Sequence, residues 1–461
     1  RGRAAARLRR APRAAKQQQA NASAAVRPTF DYAYWAENAE EAQRNAENRR
    51  FKCDVAAVVD AYHEYRGVAH EIKEARERRN ANAKSMKGKL EPEERQRLIA
   101  EGKEIKETLA RLEASAGELD ERLLGLASSI PNRSHPDVPV GEEEAAVTLR
   151  VCGEPRTSES AGFALRDHLE LGRGLGLFDF DAGGKVSGQK FLYLRGGAAL
   201  LELALVQWAV HRAVQRGFTP VLPPDLVRRG VVAGCGFAPR DDEATQIYEV
   251  ADSELCLAGT AEIPMAGVFM NETLIAGKEL PQKLVAFGHA FRTEAGSSGS
   301  ENRGIYRLHQ FSKVELFVVT RGGDTEASDA ALGEIRQLEE ELFEELGLCF
   351  RVLDMPTEEL GAPAYRKFDM EAWMPGMQKW GEISSCSSCT DYQARRLNIR
   401  HKETYTQKGD LTFAHTLNGT ACAVPRMIIS ILETFQNEDG SVTVPEVLRP
   451  YMMGIDTLRP E

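Results

Sequence analysis

The sequence predicts an α+β protein in which a long antiparallel coiled-coil arm precedes a mixed domain built around an antiparallel strand pair. The arm rests on a hydrophobic seam. Apolar residues recur at Val55, Val58, Tyr62, Tyr65, Ala69 and Ile72, alternately three and four apart, and the rhythm returns from Leu98 through Ile105, Leu109, Leu112, Leu119 and Leu123 to Leu126. Two helices packed side by side require that period. The strand pair rests on two apolar runs, Leu284–Phe291 and Ile305–Val319, flanking a tract of Gly, Ser, Asn and Arg. They read as two strands joined by a long, polar, mobile loop. Composition agrees, since 461 residues with 42% hydrophobic and 28% charged suit a globular chain of two or three structural units.

Composition also excludes. No apolar run approaches the ~20 residues of a membrane helix, so no membrane partner is expected. Eight scattered cysteines form no disulfide framework and favour a reducing compartment. Residues 1–30 carry eight Arg or Lys and no acid, a local +8 that leaves −18 on the remainder of a chain of net charge −10. So acidic a body cannot attract nucleic acid through its global field, and RNA contacts must come from local basic patches. Residues 1–28, rich in Arg, Ala and Gln without an apolar core, fit an organelle transit peptide or a disordered basic tail. The transit reading points to a mitochondrial location, with plastid or cytoplasmic as alternatives.

In chain order, residues 29–130 form the arm, each helix extending roughly 50 Å at a rise of about 1.5 Å per residue. Between Arg76 and Arg97 lie eight basic residues and four acids, and the seam breaks at Arg76 and Arg79. A charge run of this kind is usually a solvated face. At the tip of a lever on an acidic protein, Arg76, Arg78, Arg79, Lys84 and Lys87 become candidates for RNA phosphates. The Pro-rich segment 131–148 reads as a linker. Residues 149–461 form the mixed domain, with a buried helix over Ala198–Gly217, an extended GFTPVLPP, a Glu-rich amphipathic helix over Glu326–Leu346, and another over Met427–Gln436.

The strand pair carries chemistry. Arg292 and Glu294 leave the first strand on one face, while Arg307, His309, Phe311 and Glu315 alternate along the second. Two guanidiniums, two carboxylates and an aromatic ring are unfavourable as core, because each buried charge needs a partner. They suit a ligand with phosphate, a flat ring and an ammonium. The competing reading is a hairpin with one solvated face and incidental ion pairs. Glu382 and Ser384 alternate onto one strand face. Cys386 and Cys389 make a C-x-x-C, but no second pair completes a zinc site, which makes them structural. Thr260 and Glu262, one residue apart, would face one side of a strand; the alternative is an ordinary strand-to-helix junction.

Several stretches resemble the seryl-tRNA synthetase family of class II aminoacyl-tRNA synthetases, from about residue 28 to residue 453. IPN followed by HPDVPVG, then DHLELGRGLGLFDFDAGGKVSGQKFLYLRGG, are similar to the family's approach to its catalytic domain. GFTPVLPP, with Pro223, resembles motif 1 and implies a homodimer. FRTE with YRLHQFSKVE resembles motif 2. NGTACAVPRMIISILETFQNEDGSVTVPEVLRPYM resembles motif 3, although the run from Gly419 to Arg426 is poorer in glycine than the broad class II form. The resemblance implies an antiparallel sheet flanked by helices, and an arm that grips the variable arm of tRNA(Ser). It also implies ATP-dependent activation of L-serine to seryl-adenylate and transfer to the 3′ end of tRNA(Ser), with tRNA(Sec) as a further candidate. A paralogue without catalysis would be signalled by substitution at Arg292, Glu294, Glu382 or Arg426, and all four match. A ligase for a carrier protein would lack the arm.

Residue by residue, the resemblance implies Arg292, Glu382 and Arg426 as catalytic. It assigns ATP to Arg292, Thr293, Glu294, Leu308, Phe311, Glu382, Ile383, Ser384, Ser385 and Arg426. Arg292 would bridge the α-phosphate and the serine carboxylate, since its planar fork holds two oxygens at once. Glu294 would accept from the adenine amino group, Phe311 would stack on the ring, and Arg426 would cover the other face or the γ-phosphate. Mg2+ is implied as cofactor, with Glu382 and Ser385 as the hard oxygen ligands it prefers. Serine would be recognised by Thr260, Ala261, Glu262, Arg292, Glu315, Asn418 and Thr420, with Glu262 and Thr420 meeting the hydroxyl and Glu315 the ammonium. A pocket built to bond a hydroxyl rejects alanine strongly, whereas threonine must be excluded by size, where a methylene is worth about 1–3 kcal/mol.

Overall fold

The computed structural model describes residues 26–460 except 89, 238–245, 295–303, 407–408 and 410. The basic segment 1–25, the loop 295–303 and Lys89 therefore lie outside the described residues. Helices α1 (Val55–Ser85) and α2 (Pro92–Ser128) form an antiparallel hairpin. Asp54 caps α1 by accepting from the Ala57 N–H, and Pro92 opens α2, where its missing N–H leaves nothing unpaired. Val58, Leu98, Ile105, Leu109 and Leu123 are buried along the seam. Ala61 and Ala75 are buried too, whereas Ala69 is exposed, so the inward stripe departs by a residue from the expected three-four positions. Outside it, Arg76 pairs with Glu113 at 2.8 Å and Arg122 with Glu64 at 3.2 Å. Such exposed pairs contribute about 0–1 kcal/mol; the seam holds the hairpin together.

Segment 131–148 is docked rather than free. Buried Asn132 donates to the carbonyls of Pro363 (2.9 Å) and Cys389 (2.8 Å) and to Thr390 Oγ1 (3.0 Å). Val138 packs with Leu360 and Ala364. The fully buried Arg49 guanidinium donates to the carbonyls of Asn132 and Gly361, tying the hairpin's base to the larger domain.

That domain is an eight-stranded sheet. Its strands are β1 (Val147–Cys152), β2 (Thr219–Val221), β3 (Gln282–Phe291), β4 (Gln310–Thr320), β5 (Phe350–Asp354), β6 (Arg366–Met374), β7 (Lys379–Thr390) and β8 (His415–Ala423). They run in the order β1-β5-β6-β7-β8-β4-β3-β2, antiparallel throughout except for the parallel β2–β3 pair. Helices α3 (Gly196–Gln215), α4 (Glu326–Leu346) and, after the short α5 (Tyr392–Leu397), α6 (Val424–Thr434) complete the main elements. Leu201, Trp208, Ile335, Phe343, Ile428 and Leu432 from three of these helices share one core with Val314, Leu316 and Val318. Each such side chain contributes about 1.5–3 kcal/mol of burial.

Strand β4 shows why the other face becomes a site. Its back-facing residues are Val314, Leu316 and Val318; the alternate set is Phe311, Lys313, Glu315, Phe317 and Val319. Phe317 and Val319 join a second core with Leu284, Ile263 and Met265, leaving the Lys313 end polar. The second strand begins only at Gln310, so Arg307 and His309 do not belong to its alternation. Once the Arg292 N–H has donated to the His309 carbonyl, the chain turns away: the His309 N–H meets the Lys190 carbonyl, and Arg307 approaches Glu294 at 3.3 Å.

Candidate active site

The polar end of the sheet opens into a cleft lined by Arg292, Glu294, Tyr306, Leu308, Phe311, Lys313, the run Glu382–Ser385, Thr420 and Arg426. The exit of β3, the strands β4, β7 and β8 and the first turn of α6 converge there. Arg292 and Glu382, the two groups expected on one triphosphate, do share a cleft. The Arg292 guanidinium lies 5.4 Å from the centre of the Phe311 ring, and its Nε donates to the Gly259 carbonyl at 3.3 Å. Burial and the nearby Arg426 lower its pKa, opposed by Glu294, Glu382 and Glu315; a guanidinium stays charged regardless. Arg426 donates to the Glu382 carboxylate at 2.8 Å and to its carbonyl at 3.0 Å, and lies 4.5 Å from the Tyr306 ring centre. Burial pushes the Glu382 carboxyl up, but Arg426 and Lys367 outweigh it and hold it at about 2. Glu294 adopts a left-handed φ of 49°, uncommon for a side-chain-bearing residue, as the chain leaves the strand. Thr293 lies outside the lining, with its N–H on the Gln246 carbonyl at 3.3 Å.

A bulge corrects the expected alternation in β7. Met370 pairs with Ser384 and Glu371 with Glu382, leaving Ile383 unpaired. One extra residue exchanges the faces beyond it. Glu382 therefore shares the cleft side with Ser385, while the Ser384 hydroxyl turns back from the lining, donating to the Thr420 carbonyl at 2.6 Å beside the buried Glu339.

Thr260–Glu262 is likewise not a strand. A strand ends at Leu257 and a short helix starts at Glu262, the junction that was the competing reading. Thr260, Ala261 and Glu262 are all buried. Glu262 Oε1 accepts from Gln393 Nε2 at 2.6 Å and from Asn418 Nδ2 at 2.9 Å. Burial and the facing Glu315 push the Glu262 carboxyl up to about 7. Glu315 is also raised by burial, countered by Lys313 at 2.6 Å, and accepts a long bond from Thr420 Oγ1 at 3.4 Å. Two buried carboxylates beside one ammonium leave acceptor capacity for a further cation.

Three residues escaped the sequence reading. Lys313 was legible, lying between Phe311 and Glu315 in the same alternation. Tyr306 and Gln393 carry no local signal, since their partners are 76 and 131 residues away. Cys386 and Cys389 are buried, the first against Glu339 and the second 3.6 Å from Asn418. Arg76, Arg78, Arg79, Lys84 and Lys87 are exposed on the hairpin, away from the cleft.

Comparison with known proteins accounts for both halves. Residues 247–435 match the tRNA synthetase class II core domain (G, H, P, S and T), and residues 30–133 match the Seryl-tRNA synthetase N-terminal domain. A serine–tRNA ligase of Treponema denticola is 44% identical over 425 residues, covering 92% of this chain and 98% of that protein. The chain belongs to the seryl-tRNA synthetase family. The mitochondrial serine–tRNA ligase of Mus musculus is 42% identical, covering 90% of this chain and 81% of its own length. A crystal structure of seryl-tRNA synthetase from Pyrococcus horikoshii, complexed with ATP, has a TM-score of 0.86 at 37% identity and covers 94% of this chain and 100% of its own. The eight-stranded sheet is thus a class II synthetase core, and the chain an aminoacyl-tRNA ligase.

Proposed function

We propose that this synthetase joins the carboxylate of L-serine to the α-phosphate of ATP, releases pyrophosphate, and transfers the serine to the 3′ end of tRNA(Ser). The observation that carries this reading is the convergence of Arg292, Glu382 and Arg426 on one cleft, next to the buried Glu262, Glu315 and Lys313. Carboxylate attack on phosphorus needs alignment and charge neutralisation rather than a protein nucleophile. Arg292, braced by Phe311 and the Gly259 carbonyl, bridges the two reacting groups. Adenine stacks on Phe311 with its amino group on Glu294, and Arg426 meets the outer phosphates or the far side of the ring. Glu382, ionised, and Ser385, on the same side of the bulged strand, fit Mg2+ as oxygen donors; when bound, it neutralises phosphate charge. Glu262 and Thr420 take the serine hydroxyl, and Glu315 takes the ammonium.

The finer assignments have their own supports. A homodimer through motif 1 is supported by Leu203, Leu222 and Met453, which are 58%, 85% and 83% exposed. The basic tip of the hairpin, read as a coiled coil, supports contact with tRNA(Ser), with tRNA(Sec) as a second substrate. The basic residues 1–28 support mitochondrial import. Serine-dependent ATP–pyrophosphate exchange, followed by charging of purified organellar and cytosolic tRNA pools, tests the reading. Absence of serine-dependent exchange overturns it.

A further inference from the structure

We propose that Gln393 is a positioning residue for the serine pocket: it anchors one oxygen of Glu262, so that the other is kept free to accept a proton donor from the amino acid. This rests on the reading of that pocket as the serine site. Gln393 lies on the six-residue α5, is fully buried, and does not line the cleft. Its amide is oriented from behind. Thr416 Oγ1 donates to Gln393 Oε1 at 2.7 Å, which fixes the oxygen end and turns the NH2 toward Glu262. That NH2 donates to Glu262 Oε1 at 2.6 Å and touches the Cys235 carbonyl at 3.4 Å. Asn418 adds a second N–H to the same oxygen at 2.9 Å. Among the described residues Oε2 has no partner, so all remaining acceptor capacity of Glu262 belongs to the ligand.

The surroundings explain why such an anchor is needed. Glu315 and Lys313 from β4, Arg292 beyond β3, Cys235 after the helix 229–234 and Cys389 of β7 all face Glu262. A carboxylate buried opposite another carboxylate tends to take up a proton, which would turn Oε2 into a donor and forfeit the charge-assisted bond it is kept free to accept. Two N–H groups on Oε1 favour the anion.

The test is serine-dependent ATP–pyrophosphate exchange by the full chain between pH 6 and pH 9. Gln393→Met, similar in shape but unable to donate, should raise KM for serine about tenfold or more and leave KM for ATP unchanged. It should also move the acid limb of kcat/KM for serine upward from about 7. Thr416→Val, which frees the amide to rotate, should do the same, and Thr416→Ser, which retains the hydroxyl, should restore both. If Gln393→Met lowers only the Tm and kcat while the limb and KM for serine stay in place, Gln393 is merely structural and the inference falls. If wild-type protein shows no exchange with serine, the pocket assignment falls instead.

Discussion

Replacing Glu262 by Gln should give a more stable protein and a poorer enzyme. In the fold the carboxyl sits at about 7 rather than 4.5, because burial and Glu315 disfavour its charge. A carboxyl raised on folding favours the folded state only while protonated. That contribution is complete below about pH 4.5 and is lost as the pH rises through about 7. Above that point the ionised group costs about 3 kcal/mol, at about 1.4 kcal/mol per pKa unit. Gln keeps an oxygen for Gln393 and Asn418 and removes the charge. Calorimetry at pH 8 should therefore find Tm raised by roughly 5 °C, with the gain largely gone at pH 5. Exchange assays should find kcat/KM for serine reduced about tenfold or more, the loss expected for one charge-assisted hydrogen bond. A Tm that is lower at pH 8, or a gain of equal size at both pH values, would refute the reasoning.

Arg292→Lys keeps the charge but loses the two-pronged donor, so the exchange rate should drop about 10- to 100-fold; near-normal rates would remove Arg292 from the α-phosphate. Deleting residues 81–94 should leave exchange intact, weaken aminoacylation and flatten its dependence on salt. Equal loss of both reactions would assign the tip to folding. Thr420→Val should raise alanine activation relative to serine, and an unchanged ratio would detach Thr420 from the hydroxyl.

What was legible in the sequence was periodic. The hairpin follows from its repeating seam, and the helix Glu326–Leu346 from an amphipathic pattern that Gly347 ends in a left-handed turn at φ 76°. Arg292, Glu294, Phe311 and Arg426 could be found because they sit in recognisable motifs. The bulge at Ile383 could not, because a bulge is a mismatch between two strands and neither sequence records it alone. Docking of segment 131–148 was hidden for a similar reason: the acceptors of Asn132 lie more than 200 residues away. Taken alone, Thr260–Glu262 favours a strand-to-helix junction over a strand, and the helix that starts at Glu262 bears that out.

The short α5 has two sets of obligations. Gln393 faces Glu262, while the neighbouring Arg396 lies 4.8 Å from the Phe30 ring and reaches the Ile130 carbonyl at 3.4 Å, and the Arg395 carbonyl accepts from Thr29. Phe30 and Ile130 belong to the foot of the hairpin. One six-residue peg is thus shared between the foot of the hairpin and the buried polar cluster around Glu262. Any change at that foot would bear directly on the helix whose Gln393 holds Glu262.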